Sequence, residues 1–306
     1  MREKIAAGIV LFNPKDSKRL HKCLKSAADQ KIKIYVFDNS TIDCVIQFQQ
    51  EVEYISENGN RGIAYALNAI MEKAESDGYE WLITMDQDSI LPTGLIDAYE
   101  NHLKDEQIGI ICPQVIDSRR SYMKIKKEPK EEWIDFCITS ASCTRISAWN
   151  RIGKYDEWLF IDLVDNDFCK RLTASGYKIL RLNEYTLDQK FGDITPKSEK
   201  AQSFWNCVAR IFHNDNFGKF GYKKRVSPTR VYYTCRNVIY VNRKLKCFGK
   251  TGYRENYNCN GYPGFLISFI IPSVLRAQEK KKVIRAVIKG TAEGKRCCPE
   301  IWRKGL

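Results

Sequence analysis

Trp81-Leu82-Ile83-Thr84-Met85-Asp86-Gln87-Asp88 decides how this sequence folds. A short, mostly apolar run leads straight into two carboxylates. Such a run reads as a strand buried on both faces, as in parallel sheets covered by helices. Asp86 and Asp88 lie two positions apart, so in a chain still extended both carboxylates project to one side. Two hard oxygen ligands at a strand's carboxyl end suit Mg²⁺ or Mn²⁺, which in turn grips a diphosphate. A lone Asp-x-Asp is common in surface turns, and the strand before this one is what gives it weight.

Outward from that strand the first half alternates between short apolar runs and amphipathic stretches. Strands are expected at Ile5 to Phe12, Ile32 to Phe37, Val52 to Ser56, Trp81 to Met85 and Ile108 to Cys112. Helices are expected at Ser17 to Ala28 and Arg61 to Ala74, the second from Ile63, Leu67 and Ile70 on one face. This alternation predicts an α/β fold, a mixed, mostly parallel sheet flanked by helices. Ligands then bind outside the carboxyl ends of the strands, where Asp38, Asn58 and Asp86 all fall. The middle reads as a strand over Phe136 to Ala141, a helix over Asp165 to Ala174 and a strand over Tyr177 to Leu182. The last third reads as helices: Gln202 to Phe212, Arg230 to Arg243, and two flanking Ala277.

The composition, 306 residues with 43% hydrophobic and 28% charged, is that of a folded globular chain with a sizeable core. Twelve cysteines are scattered without a Cys-x-x-Cys pair, and His21, His102 and His213 lie far apart, so a zinc site is disfavoured. Met1-Arg2-Glu3-Lys4 leads into a strand without the apolar region of a signal peptide; reduced thiols in a cytoplasmic protein are the expectation. The net charge of +13 draws anions, whether nucleic acid, anionic lipid or diphosphate. No recognised nucleic-acid motif accompanies it, although a basic nucleic-acid-binding protein is the reading from a different class. No apolar run reaches the roughly 20 residues that span a bilayer. Phe265, Leu266, Phe269 and Ile270, with the Lys280 cluster, suit contact with the inner membrane face; the alternative is an amphipathic helix packed on the core.

Three further stretches carry chemistry-bearing residues. Asp38-Asn39-Ser40 follows a buried-type strand and reads either as a turn or cap, or as a carboxylate for a base or ribose. Asn60-Arg61-Gly62 opens a helix, and its glycine lets backbone approach a ligand while the helix N-terminus favours phosphate. Neither a P-loop nor a dinucleotide Gly-x-Gly-x-x-Gly is present. Asp162, Asp165 and Asp167 crowd beside Phe160, Leu163 and Val164. One of them fits a general base raised by burial and like charges, and a helix start enriched in acids is the plainer account.

Taken jointly and in order, these motifs resemble glycosyltransferase family 2, the inverting enzymes of the GT-A fold, and most closely its bacterial rhamnosyltransferase branch. Ile9-Val10-Leu11-Phe12-Asn13-Pro14 is similar to the branch's opening strand, and Phe37-Asp38-Asn39-Ser40 to its nucleoside-contacting turn. Asn60-Arg61-Gly62-Ile63-Ala64-Tyr65-Ala66-Leu67-Asn68, Asp86-Gln87-Asp88-Ser89 and Phe160-Ile161-Asp162-Leu163-Val164-Asp165-Asn166-Asp167-Phe168-Cys169 follow in sequence. Ser227-Pro228-Thr229-Arg230-Val231-Tyr232-Tyr233 and Arg236-Asn237 resemble a later element. The family commonly carries a His before Leu-Gly-Asp; here Leu187-Asp188-Gln189-Lys190-Phe191-Gly192-Asp193 sets Gln189 near that position. Lys190 could neutralise phosphate there, and Asp188 could stand in as a ligand.

The resemblance implies a GT-A catalytic domain over residues 1–200, its nucleotide-binding half at 1–112 and acceptor half at 113–200, with a helical extension over 201–306. It implies Asp165 as base beside Asp162 and Asp167. It implies donor contacts from Asn13, Asp38, Asn39, Asn60, Arg61, Gly62, Asn68, Asp86 and Gln87, and Mn²⁺ or Mg²⁺ on Asp88 and Asp86. The expected partners are a nucleoside-diphosphate sugar, dTDP-rhamnose or else a UDP-sugar, and a glycan or lipid-linked glycan of capsule or cell-wall synthesis. A homo-oligomer is compatible with this reading, and nucleic acid is not an expected partner.

Overall fold

The computed structural model describes residues 4–42, 47–57, 59–120, 123–192, 194–213 and 215–304, with backbone alone at 215, 216, 219 and 224. Asn58 and Asp193 therefore lie outside the described residues. The first strand, β1 (Ile5–Leu11), is buried at every position, as its unbroken apolar run requires. Asp16 caps helix α1 (Ser17–Ala28) by accepting from the Arg19 backbone N–H at 2.9 Å. The helix turns Leu20, Cys23, Leu24 and Ala27 inward. Strands β2 (Lys33–Asp38) and β3 (Glu53–Ser56), helix α2 (Ile63–Ser76) and strand β4 (Trp81–Asp86) complete a parallel half-sheet.

Helix α3 (Leu95–Glu100) leads to β5 (Ile108–Ile116), followed by β6 (Glu131–Ile134), β7 (Ser142–Arg145), α4 (Ile146–Arg151), α5 (Val164–Ala174) and β8 (Lys178–Asp188). The eight-stranded sheet runs β3-β2-β1-β4-β7-β5-β8-β6. Only β6 and β7 run against their neighbours, so the expected mixed, mostly parallel sheet is the one found. The strand expected over Phe136 to Ala141 is not a strand. That segment turns instead, with Ala141 at φ 61°, and the antiparallel strands lie on either side of it.

The remainder comprises a small ribbon of β9 (Ile194–Pro196) and β10 (Tyr222–Lys224) bracketing α6 (Glu199–Ile211), then α7 (Pro228–Lys244) and α8 (Thr251–Tyr257). One helical rod follows from α9 (Tyr262–Phe265) to α10 (Ile271–Arg276). A wide π turn at Leu266–Ile270 precedes Pro272, which has no N–H to give the helix. The last helix, α11 (Lys280–Arg296), lies directly on α7. A Cβ on Gly290 would stand 2.3 Å from the Tyr232 carbonyl oxygen, and one on Gly294 2.6 Å from that of Arg236, so only glycine permits this approach.

Two apolar layers sandwich the sheet. One joins Leu67, Ile70 and Trp149 to Val238, Phe265 and Val283, so the core runs across position 200 and the C-terminal helices share it. Among the described residues, no helix is long and apolar enough to cross a membrane, and the cysteines seen are free thiols.

Candidate active site

Strand register brings the acids together. Asp38 on β2 sits level with Leu11 of β1, and Asp86 on β4 level with Val10, so both carboxylates emerge beside the carboxyl end of β1. Because β8 runs parallel to β5, its end delivers Gln189 to the same edge. β7 is antiparallel and begins there, which brings the preceding Thr139 and Ser140 over Asp86. The Thr139 carbonyl is held by the Thr84 hydroxyl at 2.6 Å, and the Ala141 N–H donates to the Thr84 carbonyl at 2.7 Å.

Asp86 accepts from the Ser140 hydroxyl at 2.5 Å and from the Gln189 amide at 2.9 Å. The same Gln189 nitrogen reaches an Asp88 oxygen at 3.5 Å, while Gln189 Oε1 accepts from the Ser89 hydroxyl at 2.7 Å. One amide N–H₂ is thus suspended between two carboxylates. Burial pushes the Asp86 carboxyl upward, and the neighbouring Asp88 charge adds to this against the pull of Ser140 and Arg230. A buried carboxyl whose ionisation is opposed by burial and by a second carboxylate beside it belongs to a donor set that fits a hard divalent cation. Among the described residues no three His, Cys, Asp or Glu side chains form a ready cage, so the fit rests on this pair, with further oxygens from elsewhere.

Asp165 stands in the first turn of α5, on the far side of the Thr139–Ser140 segment. Ser140 bonds Asp86, and its neighbour Thr139 lines the cavity that holds Asp165, so one segment passes between the two carboxylates. Burial raises Asp165 to about 8, aided by Cys137 and by the charges of Asp86 and Asp162. Asp165 is half-buried and lines a small cavity with Cys137, Thr139, Ser142 and Tyr155. Asp86 stands beside this cavity, reached through Ser140, and neither Asp86 nor Asp88 is among the residues that line it.

The chain entering α5 is unusual. Phe160, Asp162 and Leu163 all have positive φ, at 25°, 67° and 62°. This bend is held by Asn237, which is fully buried in α7 and donates to the carbonyls of Leu159, Ile161 and Asp162 at 3.2, 2.8 and 2.9 Å. Gly62, at φ 92°, presses on Phe160 so closely that a Cβ would come within 2.8 Å, and the Ile63 N–H donates to the Phe160 carbonyl at 2.7 Å. The Asp162 carboxylate is turned to α7, where Arg230 grips it and the Thr234 hydroxyl donates at 3.2 Å. The charge of Arg230 also draws the Asp86 carboxyl down.

Several residues chosen from sequence bind the protein itself. Asn13 holds Ser40 and Thr41, accepting from the Thr41 N–H at 3.0 Å. Gln87 pairs with both backbone groups of Phe12, at 2.9 and 3.2 Å. Asn39 accepts from the Arg61 N–H at 2.7 Å, and Asn60 from the Gly62 N–H at 2.9 Å. The Arg61 guanidinium lies over the Tyr65 ring. Asn68 is buried among Trp149, Tyr155 and Glu157, satisfying each. Asp38 accepts from the Ser40 N–H at 2.9 Å and the Tyr54 hydroxyl at 2.6 Å. Burial pushes the Asp38 carboxyl up, but these bonds outweigh it and hold it below the usual range. Asp188 is turned to Ser118, at 2.8 Å, so it is not aimed at the acid pair.

Asp167 departs from its expected catalytic place. It has no exposed surface and is paired with Arg171 at 2.6 Å and Lys244 at 2.9 Å. Burial would raise it, but these two cations hold it low. It joins α5 to α7 beneath the site. Ser140, Thr139, Gln189, Arg230 and Asn237 are the residues that sequence reasoning did not assign to the site. Only Gln189, Arg230 and Asn237 sit within recognisable motifs.

Residues 7–160 match the model of glycosyl transferase family 2. The chain is 28% identical over 263 residues to the dTDP-rhamnosyl transferase RfbF of Shigella flexneri, covering 80% of this chain and 81% of that protein. It is 34% identical over 90 residues to the glycosyltransferase SunS of Bacillus subtilis, 28% of this chain and 20% of that one. Among solved structures it is similar to S. aureus TarS 1–349, with a TM-score of 0.47 at 12% identity, covering 95% of this chain and 89% of that one. GalNAc-T7 with UDP, GalNAc and Mn²⁺ superposes with a TM-score of 0.48 at 12% identity, covering 88% and 56%.

Proposed function

The chain belongs to glycosyl transferase family 2, and from that premise we propose that it moves L-rhamnose from dTDP-rhamnose to a glycan hydroxyl in one inverting step. The observation that carries this reading is that Ser140 bonds Asp86 while the adjacent Thr139 lines the cavity that holds Asp165, which sets the candidate base beside the Asp86–Asp88 pair. The likeness to the dTDP-rhamnosyl transferase over four-fifths of both chains supports the sugar and nucleotide.

In this reading Asp165 takes the proton of the acceptor hydroxyl. The hydroxyl oxygen bonds to the anomeric carbon from the face opposite the phosphate, and the carbon–phosphate oxygen bond breaks, releasing dTDP. A carboxyl raised to about 8 is a stronger base than an ordinary aspartate once ionised. Asp86 and Asp88 would hold Mn²⁺ or Mg²⁺, which neutralises charge on the departing diphosphate. Arg230, gripped by Asp162, adds a positive charge that Asp86 feels. Asp38 at the neighbouring strand end is available to the nucleoside, with Asn39, Asn60 and Gly62 shaping the loop beside it. The acceptor in this account is a glycan carried on lipid, within bacterial surface polysaccharide synthesis.

Thermal shift with a panel of nucleoside-diphosphate sugars, with and without Mn²⁺, tests the donor. dTDP-rhamnose should raise the melting temperature most, and more so with Mn²⁺. Stabilisation by a UDP-sugar alone would reassign the donor within the family.

A further inference from the structure

Phe265 and Ile270, two of the residues whose apolarity suggested a membrane contact, are buried against the protein. Leu266 stays exposed, and a further set faces outward. Ile267, Ile271 and Leu275 recur at four-residue spacing along the α9–α10 rod and are 69%, 44% and 68% exposed. Ile284 and Ile288 repeat the pattern on α11, the latter 64% exposed, and the two helices touch. The opposite face of α11 is committed to α7 through Val283, Gly290 and Gly294.

Around these side chains the charge is one-sided. Residues 262–296 contain eight Lys or Arg against two Glu. Both acids are engaged: Glu279 pairs with Lys282, and Glu293 accepts from Tyr232 and Arg236. Lys280, Lys281 and Arg285 are exposed beside Ile284. Bulky aliphatic groups ringed by cations complement the boundary of an anionic bilayer, where the isoleucines enter the acyl region and the lysines meet headgroups. A second copy of the chain suits the surface poorly, since a twofold contact would set these cations against themselves.

We propose that the outer face of α10 and α11 is a docking surface for an anionic membrane, and that it holds the transferase at the bilayer without crossing it. This is independent of the donor, because binding to lipid is read without sugar or metal. The full chain is floated with phosphatidylglycerol-containing vesicles and with pure phosphatidylcholine vesicles, at low and high salt. Flotation with the anionic vesicles alone, weakened by salt, is expected. The double variant I271E/L275E, and separately I288E, should bind at least about tenfold more weakly while keeping the wild-type melting temperature and donor affinity. Absence of flotation at low salt, or undiminished flotation of the variants, would overturn the proposal. So would a concentration-dependent dimer that the same substitutions dissolve, which would assign the face to a second copy.

Discussion

The side-chain amide of Gln189 donates to Asp86 at 2.9 Å and reaches Asp88 at 3.5 Å, so a neutral donor spans the carboxylate that ends β4 and the one in the turn after it. The Ser89 hydroxyl on its oxygen fixes which way the amide points. A group that puts N–H where a cation belongs weakens cation binding, since it competes for the same oxygens. Replacing Gln189 by His supplies an imidazole nitrogen that can ligate. Titration calorimetry should show Mn²⁺ binding to Gln189→His tighter by about tenfold. Unchanged or weaker affinity would remove Gln189 from the cation's surroundings.

The raised carboxyl of Asp165 has a consequence for stability. Its folded value of about 8 lies above the 3.8 of an ordinary aspartate, so between these values the folded state holds a proton that the unfolded state has lost. The stabilisation from this proton is complete below the unfolded value and disappears as pH rises through about 8. Asp86, Asp162 and Cys137 face the group and sustain the shift. Asp165→Asn cannot ionise, so its melting temperature should overtake that of the wild type as pH rises from 6 to about 9. Parallel melting curves across that range would mean that Asp165 is not a strained carboxylate.

Asp167 should behave oppositely to its neighbour two residues away. It neutralises Arg171 and Lys244 without solvent access, and removing it leaves the buried Arg171 without a carboxylate while Lys244 keeps Asp156. Asp167→Asn should lose about 3 kcal/mol in denaturant unfolding, with melting impaired at every pH between 6 and 9. Loss of transfer in a variant of wild-type stability would return Asp167 to the chemistry.

The parallel half of the fold was legible because β1, β2 and β4 are buried on both faces and announce it with continuous apolar runs. β7 was not, because Ser142-Cys143-Thr144-Arg145 owes its burial to lying between β4 and β5, not to its own composition. The site divides similarly. Asp86, Asp88 and Asp165 could be read from acids placed at element ends. Asn68, Gly62 and Gln87 share the residue types of ligand-binding positions, yet a buried amide or a close-approach glycine serves the protein's own backbone equally well. Ser140 carried no signal at all, since its role comes from the antiparallel entry of β7 over Asp86.

Transfer by Asp165→Asn, measured beside its donor affinity, tests the central claim most directly. With dTDP-rhamnose, Mn²⁺ and a glycan acceptor, turnover should fall by about 10²–10⁴-fold while donor affinity stays within about twofold of wild type. Near-normal turnover by this variant would contradict the assignment of Asp165 as the base.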